Sequence, residues 1–373
     1  MKKLMFVISE DWYFVSHRLQ LAMHAKATGY QVAVLCCISS HRVLLESAGI
    51  EVFPWSLERR SKNPLSELRA IREVWQAVDS FQPDVLHAVA LKPVLYSAMA
   101  GKIKKVSGRV FALAGLGFVF SSKKMLARCL RPFVALAFRL AFRNSSTRLI
   151  MQNPDDVQVL LDAQIIAPEK IRLIRGAGVD VVAFAALPEP EGQMLVVLPG
   201  RMLWDKGVGE FVEAARLLRQ RGLDARFALV GDRDDHNPSC VPAQTLEEWE
   251  AEGVVEYWGR RADMPAVLAQ AHIVCLPSYR EGLPKALLEA ASSARPIVTF
   301  DVPGCREVVV HGKNGLLVPF GDVAALATAL ETLAADRGMR QRMGKEGRRM
   351  AEQEFSQELV AAQTSRVWGE VLA

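Results

Sequence analysis

The feature that most constrains this chain is an alternation running through nearly its whole length. Short apolar or β-branched runs recur at 4–9, 31–37, 50–54, 84–88, 109–113, 148–152 and 171–174, and again at 194–199, 226–231, 254–258, 272–276, 296–300 and 315–318. Between them lie amphipathic stretches of about 10–15 residues, long enough for a helix that carries the chain back across a sheet. Strands joined by such crossovers run parallel, and parallel sheets are covered by helices on both faces. The expected class is therefore α/β. At 373 residues the chain exceeds one ordinary domain, and two of about 150–200 residues fit. The best linker is 184–193, "FAALPEPEGQ", where Pro and Glu concentrate. It separates Rossmann-like domains at 1–183 and 194–350, and a terminal helix over 351–373 is expected to pack back on the first. Two such domains create a deep cleft, and ligands of open α/β sheets bind beyond the carboxyl ends of the strands.

The linker is also where the charge changes sign. Residues 1–185 carry 25 Lys and Arg against 14 Asp and Glu, while the remainder carries 21 against 27. Twelve basic residues and no acid lie between Val85 and Pro154, so the first half is expected to face something anionic. No run approaches the roughly 20 apolar residues needed to cross a bilayer. "MKKLMFVISEDW" superficially suggests a leader, but acids follow at once without a small-residue cleavage site, and it reads as a first strand. The six cysteines form no C-x-x-C pair and no metal-finger spacing, which suits buried thiols in a reducing cytoplasm. His17 and His24 could share a helix face, yet the histidines show no ligand pattern. No G-x-G-x-x-G follows any strand, which argues against a nicotinamide or flavin enzyme.

Two stretches carry chemistry. In "LVVLPGRMLWDKGVGEFVEAARLL" a strand runs into Pro199–Gly200, then Arg201 and Lys206, with a helix beginning near Val208. Two cations thus stand between a strand's carboxyl end and a helix N-terminus, where a phosphate or diphosphate is the natural occupant. An ordinary solvated turn is the plainer alternative. In "LPSYREGLPKALLEAA" a helix is expected to open at Pro284, placing Glu289 among apolar residues and Glu281 in the preceding loop. A buried carboxylate is costly unless something hydrogen-bonds it. Carboxylates accept well from vicinal hydroxyls, and the backbone around Gly282, Leu283 and Lys285 can hold an adjacent phosphate or hydroxyl. Together the two stretches suit a nucleotide sugar, with Glu289 accepting from the ribose diol and Glu281 from the transferred sugar. Asp232-Arg233-Asp234 resembles a metal–diphosphate motif. It follows a strand of a domain already furnished with Arg201 and Lys206, and no metal or other cofactor is expected.

"GRMLWDKG", "LVGDRDDHNPS", "LPSYREGLPKALLEAA" and "DVPGCREVVVHGKNGLLVP" resemble glycosyltransferase family 4, retaining enzymes of the GT-B fold. The match extends more weakly into the first half through "SHRLQLA", "VLHAVALKPVLYSA" and "LAGLGFVFSS". The look is that of bacterial enzymes extending undecaprenyl-diphosphate-linked saccharides with N-acetylgalactosamine or related sugars. The resemblance implies that the second domain holds a UDP-sugar and the first holds the acceptor. It implies that Arg201 and Lys206 bind the diphosphate, Glu281 the transferred sugar and Glu289 the ribose, with Arg260 and Arg261 lining the nucleobase. Gly115 and Gly117 belong to the acceptor-side loop. Many members carry a histidine just before the glycine of that loop, where this chain has Ala114. The loop after the first strand, often glycine-rich in the family, here reads "SEDWYFVSHR", which makes His17 and Arg18 candidates for diphosphate binding.

Residues 123–148 hold seven cations and no acid, with Pro132 expected to divide two helices. A basic amphipathic surface suits an anionic bilayer, although Phe133, Leu136, Phe138 and Leu140 could equally be core. Nucleic acid fits worse, because aromatic residues are not interleaved for stacking. Lys92, after the fourth strand, is the candidate for the acceptor diphosphate. The expected activity is transfer of a hexose or N-acetylhexosamine from a UDP-sugar to a polyprenyl-diphosphate-linked saccharide in surface-glycan assembly, on the inner face of the cytoplasmic membrane. A nucleotide-sugar 2-epimerase and a non-catalytic sugar-nucleotide binding protein are the alternatives.

Overall fold

The computed structural model describes residues 1–58, 61, 63–116, 120, 125–235 and 237–373, with only the backbone of 126 and 127. Two units emerge: residues 1–177 with 357–373, and residues 178–356. The first runs β1 (Lys2–Glu10), α1 (Asp11–His17), α2 (Leu19–Ala27), β2 (Tyr30–Cys37), α3 (Arg42–Ser47), β3 (Glu51–Pro54), α4 (Pro64–Phe81), β4 (Val85–Val89), α5 (Leu91–Ile103), β5 (Gly108–Leu113), α6 (Met125–Phe142), β6 (Thr147–Met151), α7 (Pro154–Asp162) and β7 (Ile171–Leu173). Its sheet is parallel throughout, in the order β3-β2-β1-β4-β5-β6-β7. The central strand shows why. Met5 and Val7 enter one core layer while Leu4, Phe6 and Ile8 enter the other, so the two-residue period of an extended chain buries both faces. Helices begin where capping chemistry allows. Asn63 and Asn153 accept from Leu65 N and Asp156 N, each just before a proline in the first helical turn.

The second unit runs β8 (Met194–Pro199), α8 (Val208–Gln220), β9 (Ala225–Val230), α9 (Ala243–Ala251), β10 (Glu256–Gly259), α10 (Met264–Gln270), β11 (Ile273–Cys275), α11 (Lys285–Ser292), β12 (Ile297–Phe300), α12 (Cys305–Val308), β13 (Gly315–Val318), α13 (Val323–Ala335) and α14 (Arg337–Glu354). Its parallel sheet has the order β10-β9-β8-β11-β12-β13. The chain ends in α15 (Gln357–Leu372), which belongs to the first unit. There Trp368 is fully buried, and its indole N–H donates to His87 Nδ1 on β4 at 3.1 Å.

Three expectations need correction. The boundary falls at 177/178 rather than within 184–193. That Pro- and Glu-rich stretch is fastened to the second unit: Arg348 donates to the carbonyls of Val181 and Phe184 at 2.8 and 2.9 Å, and Arg340 grips Glu189 with two hydrogen bonds. Composition reads as a linker, but the arginines of α14 are distant in sequence and hold it. Pro132 does not divide two helices; it lies inside α6. Its residue is exposed, while Ala135, Phe138, Ala141 and Phe142 on the opposite side are buried and hold the helix down. Pro284 caps α11 from an extended conformation instead of occupying its first turn.

In each sheet the strand order reverses once, between β1 and β4 and between β8 and β11. The carboxyl ends of the strands at such a reversal are where ligands of open α/β sheets bind.

Candidate functional site

The second unit's reversal lies where the two motifs sit. Arg201 and Lys206 follow β8, and Glu281 and Glu289 follow β11, so strands adjacent in the sheet deliver all four to one end of it. Three loops are tied together there. Trp204 N donates to Ser239 O at 2.7 Å, Asp205 N to Ser239 Oγ at 3.1 Å, and Tyr279 N to Asp205 O at 2.9 Å. The Tyr279 hydroxyl donates to Glu210 of α8 at 2.5 Å. Gly207 turns the chain into α8 with φ +72°, and a Cβ there would collide with the Pro277 carbonyl. Glycine is required both for the turn and for the close approach.

Lys206 Nζ and Glu281 Oε1 form a direct ion pair, with side chains only 23% and 13% exposed. The structure thus joins a residue of the cation motif to one of the acid motif. Arg201 is placed differently: it donates to Asp234 Oδ2 at 2.6 Å with its side chain 48% exposed. Asp232 approaches Arg260 at 3.9 Å. The carboxylates of the D-x-D therefore face arginines, a partnership with no signal in the sequence because Arg201 and Arg260 follow different strands. An exposed pair of this kind contributes little to stability, so Arg201 can exchange its carboxylate for a phosphate oxygen at small cost.

Glu289 is 9% exposed, within α11 among Leu287, Leu288, Ala290 and Ala291. Burial pushes its carboxyl above the usual range, while Lys285, 3.2 Å away one turn earlier, opposes that shift. The residue is thus a desolvated acceptor with one cation beside it. Gly282 and Leu283 are half-buried in the segment leading into α11, whose first turn presents backbone N–H groups at this end of the sheet. Arg260 and Arg261 follow β10 at the sheet edge; Arg260 is exposed, and Arg261 lies over the Trp258 ring at 5.7 Å.

In the first unit, His17 and Arg18 follow β1 and Lys92 follows β4, the two strands flanking that sheet's reversal. His17 stacks on Tyr13 at 4.3 Å with its Nδ1 on Ser16 Oγ at 2.7 Å. Arg18 is buried, and its Nε has no hydrogen-bond partner. Lys92 is not presented as a free cation. Its ammonium donates to the carbonyls of Glu58 and Ser61 at 3.0 and 3.1 Å and to Glu67 at 2.6 Å, so its three donors are spent on the protein. Gly115 is half-buried beyond β5, beside Ala114; Gly117 lies outside the described residues, as do Lys123 and Lys124. One residue gave no sequence signal: Ala90, the N-cap of α5, has φ +83° and ψ +164°, a conformation costly for any residue with a Cβ, at the exit of β4.

Residues 193–336 match the family model described as glycosyl transferases group 1, and residues 3–153 match the one described as glycosyl transferase 4-like. The chain is 27% identical over 341 residues to the Campylobacter jejuni N,N'-diacetylbacillosaminyl-diphospho-undecaprenol alpha-1,3-N-acetylgalactosaminyltransferase, covering 88% of each chain. It is 24% identical to an Escherichia coli UDP-Gal:alpha-D-GlcNAc-diphosphoundecaprenol alpha-1,3-galactosyltransferase, over 74% of this chain and 73% of that one. Among solved structures, Anabaena Alr3699/HepE in complex with UDP and glucose superposes with a TM-score of 0.78 at 20% identity, covering 99% of this chain and 100% of the other. That likeness carries the GT-B fold.

Proposed function

Because this chain belongs to the group 1, family 4 glycosyltransferases, we propose that it moves a hexose or N-acetylhexosamine from a UDP-sugar to a polyprenyl-diphosphate-linked saccharide, with retention and without a metal. The observation that carries the reading is the Lys206–Glu281 pair at the reversal between β8 and β11, with Arg201 on the same strand exit. Arg201 and Lys206 hold the diphosphate of the donor, exchanging Asp234 and Glu281 for its oxygens. Glu281, released from its lysine, orients the sugar hydroxyls, and Glu289 accepts from the ribose. The bond from the sugar's anomeric carbon to the diphosphate breaks as the acceptor oxygen bonds on the same face, and the departing β-phosphate oxygen takes the acceptor proton. Fixed cations at a leaving group stabilise charge as it develops, commonly the largest catalytic term, and a chain that supplies two of them has no need of a metal.

Support for the acceptor comes from the names of the relatives and from α6. Its exposed residues Met125, Cys129, Phe133, Leu136 and Leu140 are spaced four, four, three and four apart, so they share one helix face. Exposed Arg128 and Arg143 lie on the same acid-free segment. No helix among the described residues is long and apolar enough to cross a membrane. An apolar stripe with cations on the same segment matches the boundary of an anionic leaflet, each near-surface cation contributing about 1 kcal/mol. We place the enzyme there, peripheral on the cytoplasmic side. Screening UDP-sugars for UDP release that requires an added lipid-diphosphate saccharide, with the anomeric configuration of the product read by NMR, tests the reading. Acceptor-independent conversion of the donor to its 2-epimer, or binding without turnover of any donor, overturns it.

A further inference from the structure

At the opposite end of the second sheet from the donor loops, a cavity of about 320 Å³ opens between the 186–189 segment, the turn before β12 and α14 from Arg337 to Arg348. Its walls carry five cations, Arg295, Arg337, Arg340, Lys345 and Arg348, and among the described lining residues Glu189 is the one acid. Arg340 bonds Glu189 in bidentate fashion at 2.7 and 3.1 Å, and Arg337 approaches the same carboxylate at 3.6 Å. Arg295 is 2% exposed and donates only to backbone carbonyls, those of Leu268, Ala269 and Pro188. Carbonyls satisfy its N–H groups without cancelling its charge. His272, also lining the cavity, has its imidazole pKa lowered by burial, and its Nδ1 accepts from Leu195 N at 3.1 Å.

Arginines buried this deeply are normally matched by carboxylates, since an uncompensated buried charge is strongly destabilising. Here the two buried arginines, Arg295 and Arg340, have one carboxylate between them, that of Glu189, which exposed Arg337 also approaches. We propose that this cavity is an anion site for a phosphoryl group, inorganic phosphate or diphosphate, separate from the donor site. Its volume is at the lower end for small-ligand pockets, and planar guanidinium groups are suited to phosphate oxygens. Arg337 and Lys345 are the exposed members, and either can turn onto a ligand that buried Arg295 and Arg340 attract from below, Arg337 by leaving the Glu189 carboxylate.

Calorimetric titration of inorganic phosphate into the full-length protein tests this with two variants. Arg337→Gln/Lys345→Gln removes two exposed cations without opening the core, and Arg201→Ala disables the donor loop instead. The cavity predicts that phosphate affinity falls about tenfold for each cation lost, so about a hundredfold in the double variant, and persists in Arg201→Ala. Phosphate affinity unchanged in the double variant, or abolished by Arg201→Ala, overturns the proposal. Competition by chloride at equal ionic strength that removes all binding does so as well. Because the donor variant is scored separately, failure here leaves the transferase reading standing.

Discussion

Replacing Lys206 by Met should separate what the lysine does for the fold from what it does for the reaction. The Glu281 carboxylate paired with it is only 13% exposed. Without the ammonium that charge is left largely desolvated, which costs about 1–3 kcal/mol of stability, toward the lower figure because solvent still reaches both groups. On turnover the effect should be larger: loss of one fixed cation at a leaving group removes about 3–4 kcal/mol of transition-state stabilisation, or two to three orders of magnitude in kcat. The loss should fall on kcat more than on KM, since the charge on the diphosphate grows as the bond breaks. Urea unfolding and acceptor-dependent UDP release measure the two quantities. Adding Glu281→Gln to Lys206→Met removes the stranded charge, so stability should recover while turnover stays low. Turnover within tenfold of wild type for Lys206→Met would refute the leaving-group role. Failure of the second substitution to restore stability would refute the account of the pair.

Arg201→Ala should lower turnover a hundredfold or more with stability nearly unchanged, because its exposed pair with Asp234 contributes little; equal losses in both would mean the arginine is structural. Activity should survive strong chelation, and loss in EDTA restored by Mn²⁺ would assign Asp232 and Asp234 to a metal. Asp11 is buried and accepts from Ser39 N, Ser40 N, His41 N and the Ser39 hydroxyl. Burial alone would raise its carboxyl, but these hydrogen bonds prevail and hold it well below the usual range. A depressed carboxyl stabilises the fold above the unfolded value of about 3.9 and loses that contribution as pH falls further. Asp11→Asn should therefore cost about 2–3 kcal/mol at pH 7, with the gap to wild type closing below about pH 4; a pH-independent gap would count against the charge. Changing Phe133, Leu136 and Leu140 to Ser should weaken binding to anionic vesicles and turnover on a full-length lipid acceptor, while turnover on a short soluble analogue persists. Unchanged vesicle binding would show the stripe to be an ordinary surface.

The strands were legible because a β-strand buried on both faces must be continuously apolar, and runs such as "LMFVIS" and "LVVLP" admit little else. The cation and acid motifs were legible for a similar reason: the exit of a parallel strand is where polar residues can meet a ligand. Sequence alone thus determined the class, the two sheets and which residues follow the carboxyl ends of their strands. Partnership was not legible. That Lys206 meets Glu281, 75 positions away, and that Asp234 faces Arg201 follow from which strands are neighbours, while Lys92 is spent on Glu58, Ser61 and Glu67, which come after β3, a strand that does not pair with β4. The Pro- and Glu-rich stretch belongs to the second unit because Arg340 and Arg348 of α14 reach it. On α6, the exposed Phe133 and the buried Phe138 are chemically the same. Composition and period fix what a segment can bury, but a charge or a ring acquires its role only when folding chooses the side chain opposite it.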